Sequence, residues 1–200
     1  MLRVPPRRGG WIEVVCGPMF SGKSEEMIRR LRRAEIAGQS VVIFKPRVDD
    51  RYDAADVVSH AGVRMRAVPV ESVAELLGRA DGYAVVGIDE AQFFEPAIVD
   101  AALSLADRGV RVVVAGLDQD FRRLPFGPIP ELLALAELVD KLQAVCHRCG
   151  GPATTTQRLV NGHPAPYSGA TVVIGAAEQY ETRCRDCHEP GEDAAAVAAA

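Results

Sequence analysis

The stretch Cys16-Gly17-Pro18-Met19-Phe20-Ser21-Gly22-Lys23-Ser24 constrains this chain more than any other. Gly17-x4-Gly22-Lys23-Ser24 has the spacing of a phosphate-binding loop, and such a loop needs a buried strand before it and a helix after it. Both are legible. Trp11 to Cys16 reads as a buried strand, and Met27, Leu31 and Ala34 mark one face of a helix that stops near Gly38. Glycines let successive backbone N–H groups turn inward on phosphate oxygens, and the helix N-terminus adds partial positive charge. Lys23 is placed to reach the β- and γ-phosphates, and the Ser24 hydroxyl to ligate Mg²⁺.

The partner of such a loop is an acidic residue at the end of a neighbouring strand. Asp89 follows the apolar run Ala84 to Ile88 and is the expected Mg²⁺ partner; Glu90 comes next, where a carboxylate can take a proton from an attacking hydroxyl. Phosphate loop plus Asp-Glu indicates phosphoryl transfer and leaves the acceptor open, because ATPases use the same pair on water.

Further strands are expected at Val41 to Phe44, Tyr83 to Ile88, Arg111 to Ala115 and Leu142 to Val145. Between them, Ser72 opens a short helix through a capping box with Glu75 reaching back, and Pro96 starts a helix carrying Ile98, Val99, Ala102 and Leu105 that ends at Gly109. Another helix spans Glu131 to Leu138. This alternation implies a parallel sheet with helices on both faces.

The texture changes at Cys146. From there to Cys187 the chain is rich in Gly, Pro and Thr, with short β-like runs at Ala153 to Val160 and Thr171 to Ile174. Cys146/Cys149 and Cys184/Cys187 are C-x-x-C pairs, the pairing of a structural four-cysteine zinc site. Four thiolates leave no open coordination position, so this zinc shapes the chain; His147 and His188 read as bystanders, and Cys16 as a residue packed at its strand end. Zinc would close Gly150 to Arg183 into a loop, and long ordered loops near active sites are commonly lids. The division expected is a flexible N-terminus over 1–10, an ATP-binding α/β domain over 11–145, a zinc-binding lasso over 146–188 and a disordered tail over 189–200.

At 48% hydrophobic and 25% charged residues the chain can bury a sizeable core, and a net charge of −4 offers no basic field for nucleic acid or anionic membrane. With no secretory or membrane-spanning run and paired thiols, the expected location is cytoplasmic.

Taken in order, GPMFSGKS (17–24), KPRVDDRY (45–52), IDEAQFF (88–94), GLDQDFRRLPFG (116–127), KLQAVCHRC (141–149), TTTQRL (154–159) and VVIGAAEQYETRCRDC (172–187) resemble the zinc-containing (type II) thymidine kinases. The resemblance implies a RecA-like P-loop NTPase sheet and transfer of the ATP γ-phosphate to the 5′-hydroxyl of thymidine or deoxyuridine, with Glu90 as general base. It places Gly17, Pro18, Met19, Phe20, Ser21, Gly22, Lys23, Ser24, Asp89, Glu90, Ala91 and Gln92 around ATP and Mg²⁺. Met19, Phe93, Leu117, Phe121 and Tyr180 would line the thymidine pocket, with Thr156 and Val173 meeting the thymine and Arg158 approaching the phosphates. It also implies feedback by thymidine triphosphate and a homodimer or homotetramer, with no nucleic-acid or membrane partner. Ala91 departs from the glycine of some members. Two rivals stay open on residues alone: a P-loop ATPase that hydrolyses ATP, and a zinc-ribbon module that binds nucleic acid.

Overall fold

The computed structural model describes residues 9–47, 56–58, 64–169, 171, 178–189 and 191. Val173, most of the strand expected at 171–174, residues 1–8, His60 and residues 192–200 lie outside them. In chain order the elements are β1 (Trp11–Cys16), α1 (Lys23–Ile36), β2 (Val41–Pro46), β3 (Asp56–Val58), β4 (Arg64–Arg66), β5 (Val68–Val70), α2 (Val73–Arg79) and β6 (Val85–Ile88). A 3-10 turn (Ala91–Phe93), α3 (Ile98–Asp107), β7 (Arg111–Gly116), α4 (Ile129–Leu135) and β8 (Leu138–Lys141) follow. The C-terminal unit holds β9 (Ala144–Val145), β10 (Pro152–Ala153), β11 (Thr155–Val160), β12 (His163–Pro164) and β13 (Glu178–Arg183).

The main sheet has the order β5-β2-β6-β7-β1-β8, and every pairing in it is parallel. β7 lies between the strand that feeds the phosphate loop and the strand that delivers Asp89, which is the RecA-like order. Strand periodicity sorts the core into two layers. Ile12, Val14, Cys16, Val112, Val114, Val86 and Ile88 pack with α2, α3 and α4; Val113, Ala115, Val85 and Ile43 meet Met27, Ile28, Leu31 and Ala34 of α1. These strands are covered on both sides, so they read as continuous apolar runs. Among the described residues no helix is long and apolar enough to cross a membrane.

One strand residue breaks the apolar pattern. Glu13 is buried in β1, where it accepts from Trp11 Nε1 at 2.7 Å, Arg111 Nε at 2.7 Å and Arg30 Nη1 at 2.9 Å. Burial alone would raise its pKa, but the hydrogen bonds from Arg111 and Trp11 outweigh it and hold the carboxyl below its usual range. Arg30 also pairs with Glu26 and Asp140, so one ionic cluster ties α1 to β1, β7 and β8.

Several elements differ from the sequence expectation. The last sheet strand is Leu138–Lys141, in register with Glu13–Cys16, and α4 stops at Leu135. The Leu142 amide still donates to the Cys16 carbonyl at 2.8 Å, after which Ala144–Val145 pairs antiparallel with Pro152–Ala153. The stretch 138–145 thus divides between two sheets. Ser72 caps α2 by accepting from the Glu75 amide at 3.2 Å, while Glu75 reaches back to the amide of Glu71, one residue earlier than a capping box requires. β13 has the sequence EQYETR, without apolar alternation, and is a strand because it pairs along its length with β11.

Candidate active site

The phosphate loop occupies the carboxyl end of β1. Gly17 has φ 141, and a Cβ on it would lie 2.5 Å from the Leu142 carbonyl oxygen, so only glycine fits this bend. α1 begins at Lys23 with no side-chain cap, which leaves its first N–H groups for an anion. Lys23 Nζ donates to the Pro18 carbonyl at 2.7 Å, folding the amine back over the loop. Burial lowers the Lys23 pKa, against the charges of Glu90 and Asp89, which raise it.

Asp89 stands opposite. It is buried, and its carboxylate oxygens lie 3.4 and 3.5 Å from Ser24 Oγ. Adjacent oxygens of an octahedral Mg²⁺ shell are about 3 Å apart, so the hydroxyl and carboxylate are spaced to share such an ion. Burial, then the neighbouring Glu90 charge, pushes Asp89 up to about 7. A cation there offsets both effects, and the donor set fits a hard ion that takes oxygen ligands.

Glu90 projects to solvent from a left-handed backbone, φ 51, a conformation that costs free energy for a non-glycine residue and clusters at working sites. Its carboxylate accepts from Gln92 Nε2, and Gln92 Oε1 in turn accepts from the Leu117 amide at 2.9 Å. Gln92 is buried and acts as a bridge. Gly127 has φ 51 and a Cβ there would come 2.4 Å from the Gln92 carbonyl, so the chain closes tightly on the bridge. Gln92, which the resemblance sets around ATP, bridges Glu90 and Leu117 through its side chain, and its neighbour Ala91 packs in the core.

The second wall comes from the C-terminal unit. Residues i and i+2 of a strand share a face, as do directly paired residues on neighbouring antiparallel strands. Thr156 and Arg158 of β11 and Tyr180 of β13, paired with Arg158, therefore present one face. Thr156 Oγ1 accepts from the Met19 amide at 3.0 Å, joining this face to the phosphate loop. The Arg158 guanidinium lies 5.3 Å from the Phe121 ring centroid, and Arg122 lies 5.6 Å from it. Arg158 is buried against the aromatic platform. Phe93 packs edge-to-face on Phe126 at 5.6 Å. Sequence gives Asp118 no role and His188 only that of a bystander to the cysteines. Asp118 is buried and pairs with Lys141 at 2.7 Å, and His188 is buried against the Phe121 carbonyl. A lone carboxylate or histidine carries no spacing signal.

The four paired cysteines converge, with all sulfurs within 4.8 Å of one another. Zn–S bonds of about 2.3 Å at tetrahedral angles put sulfurs about 3.8 Å apart, and Cys149 Sγ lies 3.8 Å from Cys184 Sγ. Desolvation would raise the Cys146 pKa, but amides of Cys184 and Cys149 bring it down to about 6; contact with the Cys184 thiol, then desolvation, pushes Cys187 up to about 12. Four sulfurs converging at this spacing could hold structural zinc. His147 Nδ1 is engaged by Thr182, whose amide lies 3.2 Å away, and His188 faces Phe121.

A parallel RecA-like sheet, a Gly17–Ser24 loop facing Asp89 and Glu90, and a four-cysteine unit whose Arg158 and His188 contact Phe121 thus occur together in one chain. A model of the thymidine kinase family matches residues 10–188. The chain belongs to the thymidine kinase family, and its cysteine cluster is consistent with the zinc-containing type.

Proposed function

We propose that the protein is an ATP-dependent thymidine kinase that transfers the γ-phosphate of ATP to the 5′-hydroxyl of thymidine or deoxyuridine. The observation that carries this reading, beside the family match, is the bond from the Met19 amide to Thr156 Oγ1, which brings the phosphate loop against the face of Thr156, Arg158 and Tyr180. Water as the acceptor requires no aromatic wall there.

In this reading the amides of Ser21 to Ser24 at the start of α1 and the Lys23 amine hold the triphosphate. Ser24 and Asp89 would hold Mg²⁺, which neutralises charge on the transferring phosphoryl group. Glu90, steadied by Gln92, accepts the 5′-hydroxyl proton as the oxygen attacks the γ-phosphorus; the P–O bond to the β-phosphate breaks and ADP leaves. Phe121, Tyr180, Met19, Phe93 and Leu117 enclose the base and sugar, Thr156 meets the thymine, and the aromatic wall excludes water that would hydrolyse ATP. The cysteine quartet, loaded with zinc, fixes the wall and takes no part in proton or phosphoryl movement.

The test is incubation with ATP-Mg²⁺ and each deoxynucleoside, followed by product analysis. Thymidine and deoxyuridine should give 5′-monophosphates in step with ADP. Release of inorganic phosphate from ATP at the same rate with or without nucleoside overturns the reading in favour of an ATPase.

A further inference from the structure

His188 follows directly on the last cysteine of the quartet, and its side chain turns away from the sulfurs. Its ring Nε2 lies 2.9 Å from the carbonyl oxygen of Phe121, and the ring is buried. A carbonyl can only accept, so Nε2 carries the proton. The backbone holds the ring in place from behind, because the His188 amide donates to the Cys184 carbonyl at 3.1 Å. The next residue is fixed too, with the Glu189 amide donating to Gln157 Oε1 at 2.9 Å.

The receiving loop is a tight turn built on Asp120. Its carboxylate accepts from the amides of Arg122 and Leu124 at 2.8 and 3.0 Å, and the Asp120 amide donates to the Leu124 carbonyl at 2.9 Å. These bonds shape the turn about residue 120. The His188 bond is different, because it ties the turn at Phe121 to the second cysteine knuckle, far away in sequence.

Resting on the reading of Phe121 as the nucleoside platform, we propose that His188 is a positioning residue for nucleoside binding: it conveys the location of the cysteine knuckle to the Phe121 backbone, and so sets where the ring meets the base. Removing the donor leaves a buried carbonyl unpaired while the knuckle and the phosphate loop keep their own contacts. The effect therefore falls on thymidine and spares ATP.

The experiment compares His188→Phe with His188→Gln in the zinc-loaded enzyme. Glutamine places an amide N–H where histidine has Nε2; phenylalanine keeps the ring and removes the donor. His188→Phe should raise KM for thymidine about fivefold to tenfold, the order expected for one lost hydrogen bond, with kcat and KM for ATP within about twofold of wild type. Zinc content should stay at the wild-type value, and His188→Gln should restore thymidine KM. Unchanged thymidine KM in His188→Phe, or equal impairment of both variants, overturns the proposal. Should His188→Phe lose zinc, His188→Asn takes its place in the comparison, since its shorter amide falls short of the carbonyl. Amide hydrogen exchange over residues 118–126 reads the same contact without turnover: faster in the phenylalanine variant, restored by glutamine. A wild-type enzyme that phosphorylates no nucleoside sinks the kinase reading, whereas unaltered exchange sinks only the role of His188.

Discussion

The parallel sheet and the cysteine-held unit meet at the Met19 amide, and they are held together by different means. In the sheet, Val14, Val15, Val112, Val113, Val114 and Ile88 are wholly buried, and each such side chain contributes about 1.5–3 kcal/mol. In the C-terminal unit the central strand buries Thr155, Thr156, Gln157 and Arg158, and among the described residues its buried apolar side chains are few, such as Ala153, Leu159 and Ala165. Polar strands of this kind are ordered by satisfied hydrogen bonds, here Thr155 Oγ1 to the Arg183 carbonyl at 2.7 Å and the Thr156 bond to Met19. Four converging thiols could supply the rest: structural zinc in small cysteine-held units contributes on the order of 10 kcal/mol. The two regions divide the labour: on the proposed reading, the side that would hold phosphate is set by a core that needs no ligand, and the side that would hold nucleoside depends on a cross-link through the four thiols.

The largest expected effect lies at Glu90. If it takes the 5′-hydroxyl proton, Glu90→Gln keeps size and the contact to Gln92 and removes the base, so single-turnover phosphorylation should fall about 10²- to 10⁴-fold. Thymidine affinity should hold, because glutamine keeps the contact to Gln92 and the groups proposed to meet the base, Phe121, Thr156 and Tyr180, are on other elements. A full single-turnover rate in this variant removes Glu90 from proton transfer. Lys23→Ala comes next, with a loss in kcat of about 10²- to 10³-fold, as for removal of one preorganised charge on the transferring group. The amine is buried at a cost in its charged form, so the variant should melt no lower than wild type. Near-normal turnover would dissociate the phosphate loop from the reaction.

Glu13 sharpens the other side of the comparison, because it is the point where the sheet relies on charge. Its folded pKa lies below the 4.5 of the unfolded chain, so its contribution is fully present above pH 4.5 and is lost as pH falls through the folded value. Glu26, hydrogen-bonded by Arg29 and Arg30 and brought down to about 2, extends that loss to lower pH. Glu13→Gln removes the carboxylate charge facing Arg111 and one of the three facing Arg30, at 17% and 10% exposure; by analogy with broken buried pairs it should cost about 3 kcal/mol. In a chain of this size that lowers the melting point by roughly 6–12 °C. Thermal melts from pH 7 to pH 3 check this: wild type should lose stability below pH 4.5 and the variant should lose less. Parallel curves would contradict the assignment.

The sheet was readable from sequence because doubly covered strands must be apolar throughout, and Trp11–Cys16 and Arg111–Gly116 could hardly be anything else. The cysteine quartet was readable for a different reason: its spacing is a chemical requirement. What escaped depends on partners far away in sequence. β13 is a strand only beside β11, the edge strand Leu138–Lys141 is selected by register with β1, and the burial of Gln92 becomes visible only once Gly116 and Gly127 are seen to close on it. His188 looked like a bystander to the metal, and the contact that gives it a role is to a carbonyl of another loop. The contact of the Arg158 guanidinium with the Phe121 ring likewise joins residues far apart in sequence and has no pattern that announces it.

The division of labour is tested most directly by Cys184→Ser, assayed beside wild type for zinc content and for KM of both substrates. With the cross-link broken and the sheet intact, zinc should fall below the wild-type value and KM for thymidine should rise at least about tenfold, the scale on which one cluster of ordered contacts is lost. KM for ATP should stay within about twofold, and the far-ultraviolet circular dichroism of the helices should be unchanged. A parallel rise in both KM values, or retention of wild-type thymidine KM after the metal is gone, would contradict the account.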